Sequence, residues 1–329
     1  MSTNNEELNL VVLVITISVA ILATLWYKYT LSSSSNGAPS LPPGPRSLPI
    51  VGYIPFLRPD ELHKQFTDMS HTYGPIFKFH LGSKLHVVIN NLELAKAVVQ
   101  DQDETFANRN LTIAASIITY GGQDIVFSNN NSHWRNLRKI FVHEVLSNTN
   151  LKSCSSFRMD EVRKTIKNVF NKTGTNVNIG EIAFLTESNV LTRMVWDDTS
   201  YKGAKESDLV AELQMSASNI LHIMSRPNLS DFFPSLARFD LQSVERDMKK
   251  TLKNLDQIFT SIIEDRVKSN SKKSQDGIGY DVKNDFLQIL LDLKDQQDAS
   301  SLNITQIKAL LLNIVTKVSL KNCKSAKIL

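Results

Sequence analysis

Residues 133–141 read His133-Trp134-Arg135-Asn136-Leu137-Arg138-Lys139-Ile140-Phe141, and the fold of the chain is organised around this stretch. On a helix of 3.6 residues per turn, one face holds Trp134, Leu137, Arg138 and Phe141. Arg138 therefore lies where a core residue is expected. Burial of a cation on an apolar face is costly unless an anion meets it. The pattern thus predicts either that the guanidinium reaches the rim of the face or that it receives an acidic partner.

The composition is that of a globular protein. The chain has 329 residues, of which 42% are hydrophobic and 21% are charged, enough for a large core. A net charge of +4 is too small to favour nucleic acid as a partner, so DNA and RNA are excluded. The two cysteines, Cys154 and Cys323, form neither a metal-ligand pair nor a disulfide framework, which is typical of a reducing compartment.

Residues 8–29 are predicted to form a transmembrane anchor. Residues 10–26 are an uncharged apolar run, which reaches the roughly 20 residues of a membrane span when its edges are included. The aromatic residues at its end, Trp26, Tyr27 and Tyr29, are typical of a membrane interface. The alternative is a cleaved signal peptide. The anchor is favoured because Glu6 and Glu7 precede the run instead of lysines and no small-residue cleavage site follows it.

The charges around this run predict its orientation. Lys28, Arg46, Arg58 and Lys64 follow the run and no Lys or Arg precedes it, so the body is expected in the cytosol. The Asn-x-Ser/Thr sequences at Asn110, Asn130, Asn171, Asn228 and Asn303 are then expected to stay unglycosylated. Residues 30–49 follow as a Ser-rich tether and a proline-rich hinge between membrane and body.

The body is predicted to be mostly α-helical with a small β-sheet. Strands at 76–79 and 85–89 flank Gly82-Ser83-Lys84 as a hairpin. Helices are predicted from an N-cap at Asp60 to Gly74, after Asn91, and at 157–171, 181–196, 206–224, 241–268 and 285–295, with a last one capped by Thr305. Residues 269–284 are predicted to be an irregular loop, and 316–329 a polar, basic tail in which the apolar register fails.

The apolar segment 111–122 has no clean period. Such a segment is typical of a buried loop or short helix, although apolar loops also line pockets for apolar ligands. No local catalytic motif stands out: the chain has no phosphate-binding glycine loop, no His-Glu-x-x-His and no nucleophile elbow. Cys323 lies between Asn322 and Lys324 with no preceding glycine turn, so we do not expect it to bind a metal. No metal ligand is predicted.

Five motifs together resemble a known family. They are the anchor, Leu41-Pro42-Pro43-Gly44-Pro45-Arg46, Phe106-Ala107-Asn108-Arg109, Trp134-Arg135-Asn136-Leu137-Arg138-Lys139 and Pro227-Asn228-Leu229-Ser230-Asp231-Phe232-Phe233-Pro234. In this order and spacing, up to Val315, the chain resembles the plant microsomal haem-thiolate monooxygenases of the cytochrome P-450 family. It looks most like the terpenoid hydroxylases of the geraniol 8-hydroxylase type.

The resemblance implies a cytochrome P-450-like fold with haem as cofactor. Trp134 and Arg138 match the pair that meets a haem propionate. Ile113, Ala114, Ile117, Ile118 and, in the roof segment, Asn219 match positions that line the substrate pocket. The resemblance further implies an endoplasmic reticulum membrane protein that receives electrons from an NADPH-cytochrome reductase. Its activity would be insertion of one oxygen atom from O2 into a small apolar, terpenoid-like substrate.

The sequence departs from the family after Val315. Thr316-Lys317-Val318-Ser319 stands where the family has its acid-Thr pair, and neither the Glu-x-x-Arg helix nor the loop with the axial cysteine follows. Residues 50–315 are therefore expected to form a C-terminally incomplete monooxygenase domain, and this chain is predicted to be inactive. The alternative is a non-catalytic, membrane-anchored helical protein that binds a partner or an apolar ligand.

Overall fold

A computed structural model describes residues 2–32, 41–196, 206–275, 285–295 and 301–325. Most of the predicted Ser-rich tether, at 33–40, and residues 276–284 of the predicted loop lie outside the described residues. The chain divides into two compact units. The first comprises Met1–Phe106 with Phe232–Ser235, and the second comprises Ala107–Asp231 with Leu236–Leu329. The expected class, mostly α-helical with one small β-sheet, is confirmed.

The first unit begins with α1, which runs over Ser2–Ser32. Within it, Leu10–Lys28 has a mean hydropathy of 2.5 and is long and apolar enough to cross a bilayer. None of this segment is buried in the structure. Its apolar side chains therefore have no protein core to pack against, which is compatible with the predicted anchor.

The remainder of the first unit packs around a hairpin. Its helices are α2 Leu62–Tyr73, α3 Leu92–Lys96 and α4 Asp103–Phe106, and its strands are β1 Ile76–Leu81 and β2 Lys84–Ile89. The strands pair antiparallel around Gly82 and Ser83, as the sequence predicted. Among the described residues of this unit, the buried apolar side chains are Met69, Phe77, Phe79 and Leu81.

Two helix starts in the first unit test the cap predictions. The side chain of Asn91 accepts hydrogen bonds from the amides of Glu93 and Leu94, so the predicted cap of α3 is confirmed. The predicted cap at Asp60 is wrong, because Pro59–Glu61 form a 3₁₀ turn and α2 begins one residue later. Proline at the start of that turn fixes the backbone before Asp60 can cap.

The second unit is built from helices. They are α5 Ile113–Ile118, α6 Ser132–Ile140, α7 Asn148–Ser153, α8 Ser155–Asn171, α9 Ile179–Trp196, α10 Glu206–Ser225, α12 Val244–Gln275, α13 Phe286–Asp295 and α14 Ile304–Ser325, with α11 Leu229–Phe232 at the boundary between the units. Their core joins apolar residues from α5, α6, α9, α10, α12, α13 and α14. Met248, Leu255 and Phe259 of α12 are fully buried at its centre.

Helices α12 and α14 differ most from prediction. Helix α12 continues through residues 269–275, which were predicted as loop. In this segment the side-chain amide of Asn270 donates a hydrogen bond to the side-chain oxygen of Gln288 at 3.0 Å. Helix α14 is capped by Asn303 and not by Thr305, since the Asn303 side chain accepts from the Gln306 amide at 2.8 Å. The same helix extends to Ser325, so residues 316–325 of the predicted polar tail are helical.

Candidate functional site

Helix α6 presents the pair that the resemblance assigns to haem. Asn131 caps it, accepting from the Trp134 amide at 2.8 Å. Leu137 is fully buried and Ile140 nearly so, which fixes the inner face of the helix. The inner face is thus the side of Leu137, and Trp134 lies half-buried at its edge.

Arg138 does not lie on the buried face, contrary to the helical-face argument. Its side chain is exposed, and its guanidinium lies over the Trp134 ring, 5.4 Å from the centroid. Of the two outcomes that the sequence left open, the structure has the first, in which the cation reaches the rim. Among the described residues, no carboxylate forms an ion pair with Arg138. The neighbouring Arg135 points elsewhere and donates to Asn130 at 3.3 Å.

The two side chains fit a propionate to different degrees. The Trp134 indole N–H already donates to the backbone carbonyl of Ile125 at 2.9 Å, so it is not available to an outside acceptor. Among the described residues, none accepts a hydrogen bond from the Arg138 guanidinium, and a guanidinium matches a carboxylate in shape and charge. Arg138 therefore suits one edge of a haem, with Trp134 as the surface on which its guanidinium rests.

Helix α5 carries four of the predicted pocket residues. Thr112 caps it by accepting from the Ala115 amide at 3.2 Å, and Asp231 accepts from the Ile113 amide at 2.7 Å. Ala114 and Ile118 are buried in the core of the second unit, Ile117 packs against that core, and Ile113 is partly exposed. The segment 111–122 is thus a short buried helix, one of the forms that the sequence allowed.

A single carboxylate holds the C-terminal end of α5. Tyr120 has a left-handed backbone, φ 53°, and its hydroxyl donates to Asp256 Oδ1 of α12 at 3.0 Å. Lys308 of α14 donates to the same oxygen at 2.8 Å. Burial, and then the neighbouring Asp256 carboxylate, raise the pKa of Tyr120 far above its ordinary value, so the phenol remains a donor. Asp256 consequently links α5, α12 and α14.

A buried carboxylate, that of Asp124, stabilises the loop after α5. Asp124 is fully buried and accepts from the amides of Val126 at 3.2 Å and Phe127 at 2.9 Å. Burial raises the pKa of Asp124, although these backbone donors oppose the shift. Asp124 therefore shapes the turn between Ile125 and the α6 cap.

Asn219, the fifth predicted pocket residue, is on helix α10. It is exposed on α10 and lines a cleft of about 290 Å³ between α10 and α12. The other polar groups of this cleft include His222, Arg226 and Asp247, and Arg226 donates to Asp247 at 3.2 Å. The structure thus places Asn219 in a cleft whose lining includes charged and polar side chains.

The described residues offer no metal centre. No group of three or more His, Cys, Asp or Glu side chains among them could hold a metal ion. Cys154 is buried with a free thiol, and the side chain of Cys323 lies outside the described residues.

Sequence reasoning missed three residues that position α5: Asp231, Asp256 and Lys308. Asp231 belongs to a quoted motif, but its bond to Ile113 joins residues 118 positions apart, which no local pattern indicates. Lys308 could have been recognised from the sequence, because it is a cation inside the apolar run of the last helix and therefore requires an anionic partner. A search for the anion that such a lysine requires would have led to the acidic residues of α12.

Comparison with known proteins gives a consistent result. Residues 42–316 match the family model described as Cytochrome P450. The chain is 31% identical over 302 residues to 3,9-dihydroxypterocarpan 6A-monooxygenase of Glycine max, covering 90% of this chain and 58% of that protein. It is 30% identical over 302 residues to germacrene A acid 8-beta-hydroxylase of Inula hupehensis, covering 91% and 57%.

A solved structure shares the fold. The chain aligns with a zebra fish cytochrome P450 solved with progesterone at a TM-score of 0.56 and 19% identity, covering 78% of this chain and 55% of that one. This chain therefore spans little more than half the length of the relatives it matches.

Proposed function

The chain belongs to the cytochrome P450 family, and from this premise we propose that it carries the propionate-binding helix and one pocket wall of a haem monooxygenase. The proposed reaction inserts one oxygen atom from O2 into a small apolar, terpenoid-like substrate. The observation that carries the proposal is the exposed guanidinium of Arg138 resting on Trp134. Haem, when bound, would supply the redox chemistry, and the protein would supply its binding and orientation.

The roles of the protein groups follow from their positions. Arg138 would donate to a propionate and so fix one edge of the cofactor. Ile113 and Ile117 are the partly exposed apolar residues of α5 and would contact an apolar substrate, whereas the buried Ala114 and Ile118 hold the helix in the core. Two relatives named as hydroxylating or monooxygenating small plant molecules support this substrate class.

The proposed setting is the endoplasmic reticulum membrane. Helix α1 would anchor the protein through Leu10–Lys28, leave the body in the cytosol and allow electrons to arrive from an NADPH-cytochrome reductase. The proposal includes the prediction that this chain, which has no axial-cysteine loop in its given sequence, does not complete the reaction by itself.

A hemin titration of the full chain in lipid nanodiscs tests the role of Arg138. Because Arg138 is exposed, Arg138→Ala should weaken hemin affinity by only roughly three- to tenfold, as expected for one screened, charge-assisted contact. Arg135→Ala is the matched control, since it removes the same charge three residues away, and it should change affinity less than about twofold. Equal losses in the two variants would refute the assignment.

Carbon monoxide tests the prediction of inactivity separately. The reduced, hemin-loaded chain should give no thiolate-type carbon monoxide difference spectrum, because that signal requires an axial cysteine thiolate. A thiolate-type spectrum from this chain would show that the prediction is wrong, whatever the result for Arg138.

A further inference from the structure

Asp124 is a fully buried carboxylate in the loop that precedes α6. Among the described residues, no Lys, Arg or His forms an ion pair with it, and burial raises the pKa of its carboxyl. Burial of a carboxylate without a cation is costly, so hydrogen bonds to both of its oxygens are needed to offset the cost. Backbone amides supply them: Oδ2 accepts from Val126 at 3.2 Å and Oδ1 accepts from Phe127 at 2.9 Å.

The amide of Val126 belongs to a peptide unit that is bonded on both sides. The carbonyl of the same unit is that of Ile125, and it accepts from the Trp134 indole N–H at 2.9 Å. A peptide unit is planar and rigid, so its N–H and its C=O turn together. The bond from Val126 to Asp124 therefore fixes the direction in which the Ile125 carbonyl meets the indole.

The indole in turn supports the guanidinium of Arg138, which lies 5.4 Å from the centroid of the Trp134 ring. Arg138 is exposed, and a free arginine side chain samples many rotamers. Restricting those rotamers before an anion binds lowers the entropy cost of binding. The Asn131 cap holds the backbone of Trp134 and the Ile125 carbonyl holds its ring, so the ring is a fixed support.

We propose that Asp124 is a positioning residue for the anion-binding guanidinium of Arg138. Asp124 acts through the Ile125–Val126 peptide unit and the Trp134 ring, and not by contact with the anion. The inference rests on the proposed role of Arg138 in haem binding and extends that role to a carboxylate in the preceding loop. The competing explanation is that Asp124 stabilises only the loop itself.

A double-mutant cycle with Arg138 separates the two explanations. Asn has one side-chain oxygen, so Asp124→Asn should keep the shorter bond, to the Phe127 amide, and leave the Val126 amide without its acceptor. In hemin titrations of the full chain in nanodiscs, this variant should bind about threefold more weakly than the wild type. In the Arg138→Ala chain, Asp124→Asn should change the affinity by less than about 1.5-fold, because the guanidinium that it positions is gone. Losses that multiply in the double variant, or an unchanged affinity in Asp124→Asn alone, would overturn the proposal.

Exchange of the Trp134 indole N–H tests the same connection without hemin. In the full chain with its three tryptophans labelled with 15N, this N–H should exchange roughly tenfold faster in Asp124→Asn than in the wild type, because the Ile125 carbonyl is no longer held. Unchanged exchange would overturn the proposal even if Arg138 binds hemin. Faster exchange together with equal hemin losses for Arg138→Ala and Arg135→Ala would support the connection from Asp124 to Trp134 and refute the haem role of Arg138, so the two failures are distinguishable.

Asp240→Asn is the matched control for both measurements. Asp240 also accepts from two backbone amides, those of Glu245 at 3.1 Å and Arg246 at 3.0 Å, but it lies immediately before α12. This control should leave hemin affinity within about 1.5-fold and the Trp134 N–H exchange unchanged. Asp124→Asn keeps the volume of the side chain and removes a buried charge, so the variant should fold like the wild type. Asp124→Ala removes both acceptors and should accelerate the indole exchange further, and exchange no faster than in the wild type would also overturn the proposal.

Discussion

Arg266 and Asp285 form a buried ion pair that joins three helices of the second unit. The side chains are 3% and 2% exposed, and two parallel bonds of 3.0 and 2.6 Å join them. Arg266 also donates to the carbonyl of Trp196 at 2.8 Å, and Asp285 accepts from the Gln288 amide at 2.9 Å as the cap of α13. One pair therefore joins the end of α9, the middle of α12 and the start of α13.

Breaking this pair should be costly. Arg266→Ala leaves a buried carboxylate without its cation, so we expect it to lower the free energy of unfolding by about 3–5 kcal/mol. Urea denaturation of the wild type and the variant measures the difference. Lys249→Ala removes one partner of an exposed ion pair with Glu245 and should cost no more than about 0.5 kcal/mol. Similar losses in the two variants would mean that burial does not set the contribution of these pairs.

Glu161 should make stability depend on pH in a defined window. Burial alone would raise the pKa of its carboxyl, but hydrogen bonds from Lys164 and Arg193 outweigh burial and lower the pKa below the ordinary 4.5. A carboxyl whose pKa is lower in the folded state stabilises the protein above the unfolded pKa. That stabilisation is lost as pH falls through the folded pKa.

A comparison of the wild type with Glu161→Gln tests whether Glu161 causes this pH dependence of stability. The two proteins should differ in unfolding free energy by a constant amount from pH 7 down to about pH 5, and the difference should shrink below pH 4.5. Glu264→Gln alters an exposed pair with Lys268, at 3.7 Å, and should show no such window. A difference that persists unchanged to pH 3 would exclude a lowered pKa as the cause.

Local patterns predicted one helix cap correctly, but they did not predict the side-chain partners. Asn91 could be assigned because a cap needs only the next three residues. Arg138 was placed on the buried face because helical spacing gives a direction but not the reach of a long side chain, which here folds back over Trp134. Asp60 failed because Pro59 takes over the local backbone.

Helix α5 is held at both ends by residues that are distant in sequence. Asp231 accepts from its first turn, and Tyr120 at its end is bound to Asp256, which Lys308 also contacts. The left-handed backbone of Tyr120 and of the two glycines after it costs energy at Tyr120. The carboxylate of Asp256 offsets that cost and fixes the orientation of α5.

Loss of this carboxylate should loosen α5. Asp256→Ala removes the acceptor for both Tyr120 and Lys308, so we expect the free energy of local opening over residues 111–122 to fall by about 1–3 kcal/mol. Native-state hydrogen exchange of the amides in residues 111–122 measures this free energy of local opening. Tyr120→Phe removes one bond and should have a smaller effect, and Glu264→Ala on the same helix should have none. Unchanged exchange in Asp256→Ala would show that core packing alone holds α5.

The boundaries of whole elements were predictable where the apolar period is strong. The hairpin and helices α8, α9, α10 and α13 follow the pattern closely. Residues 269–275 of α12 have a polar, loop-like composition, and the structure keeps them helical with a tertiary bond from Asn270 to Gln288 of α13. Single-sequence patterns do not contain such a bond, because its partner lies 18 residues away.

At the level of the whole chain, the sequence supplied the family and the helical class, while the contacts between helices required the structure. The apolar side of α8, which is exposed, illustrates the difference. The spacing of Met159, Val162 and Ile166 predicts an amphipathic helix, and an amphipathic helix is ordinarily assumed to turn its apolar side inward. Only the buried Glu161 and its partner Arg193 reveal that the polar side faces α9.

The orientation of the chain in the membrane gives the last prediction. Five Asn-x-Ser/Thr sequences lie in the body, and glycosylation of any of them requires exposure to the lumen. The apolar segment Leu10–Lys28 ends at Lys28, is followed by Arg46 and Arg58, and is preceded by no Lys or Arg, so the positive-inside rule predicts that the body is in the cytosol. The chain expressed in microsomes should therefore show no mobility shift on deglycosylation.

A variant with Glu6→Arg, Glu7→Arg and Lys28→Glu reverses the charge bias next to the segment and should yield a glycosylated fraction, with acceptors such as the exposed Asn171 in the lumen. Glycosylation of the wild type would show that the body is lumenal, which would rule out a cytosolic reductase as its electron donor.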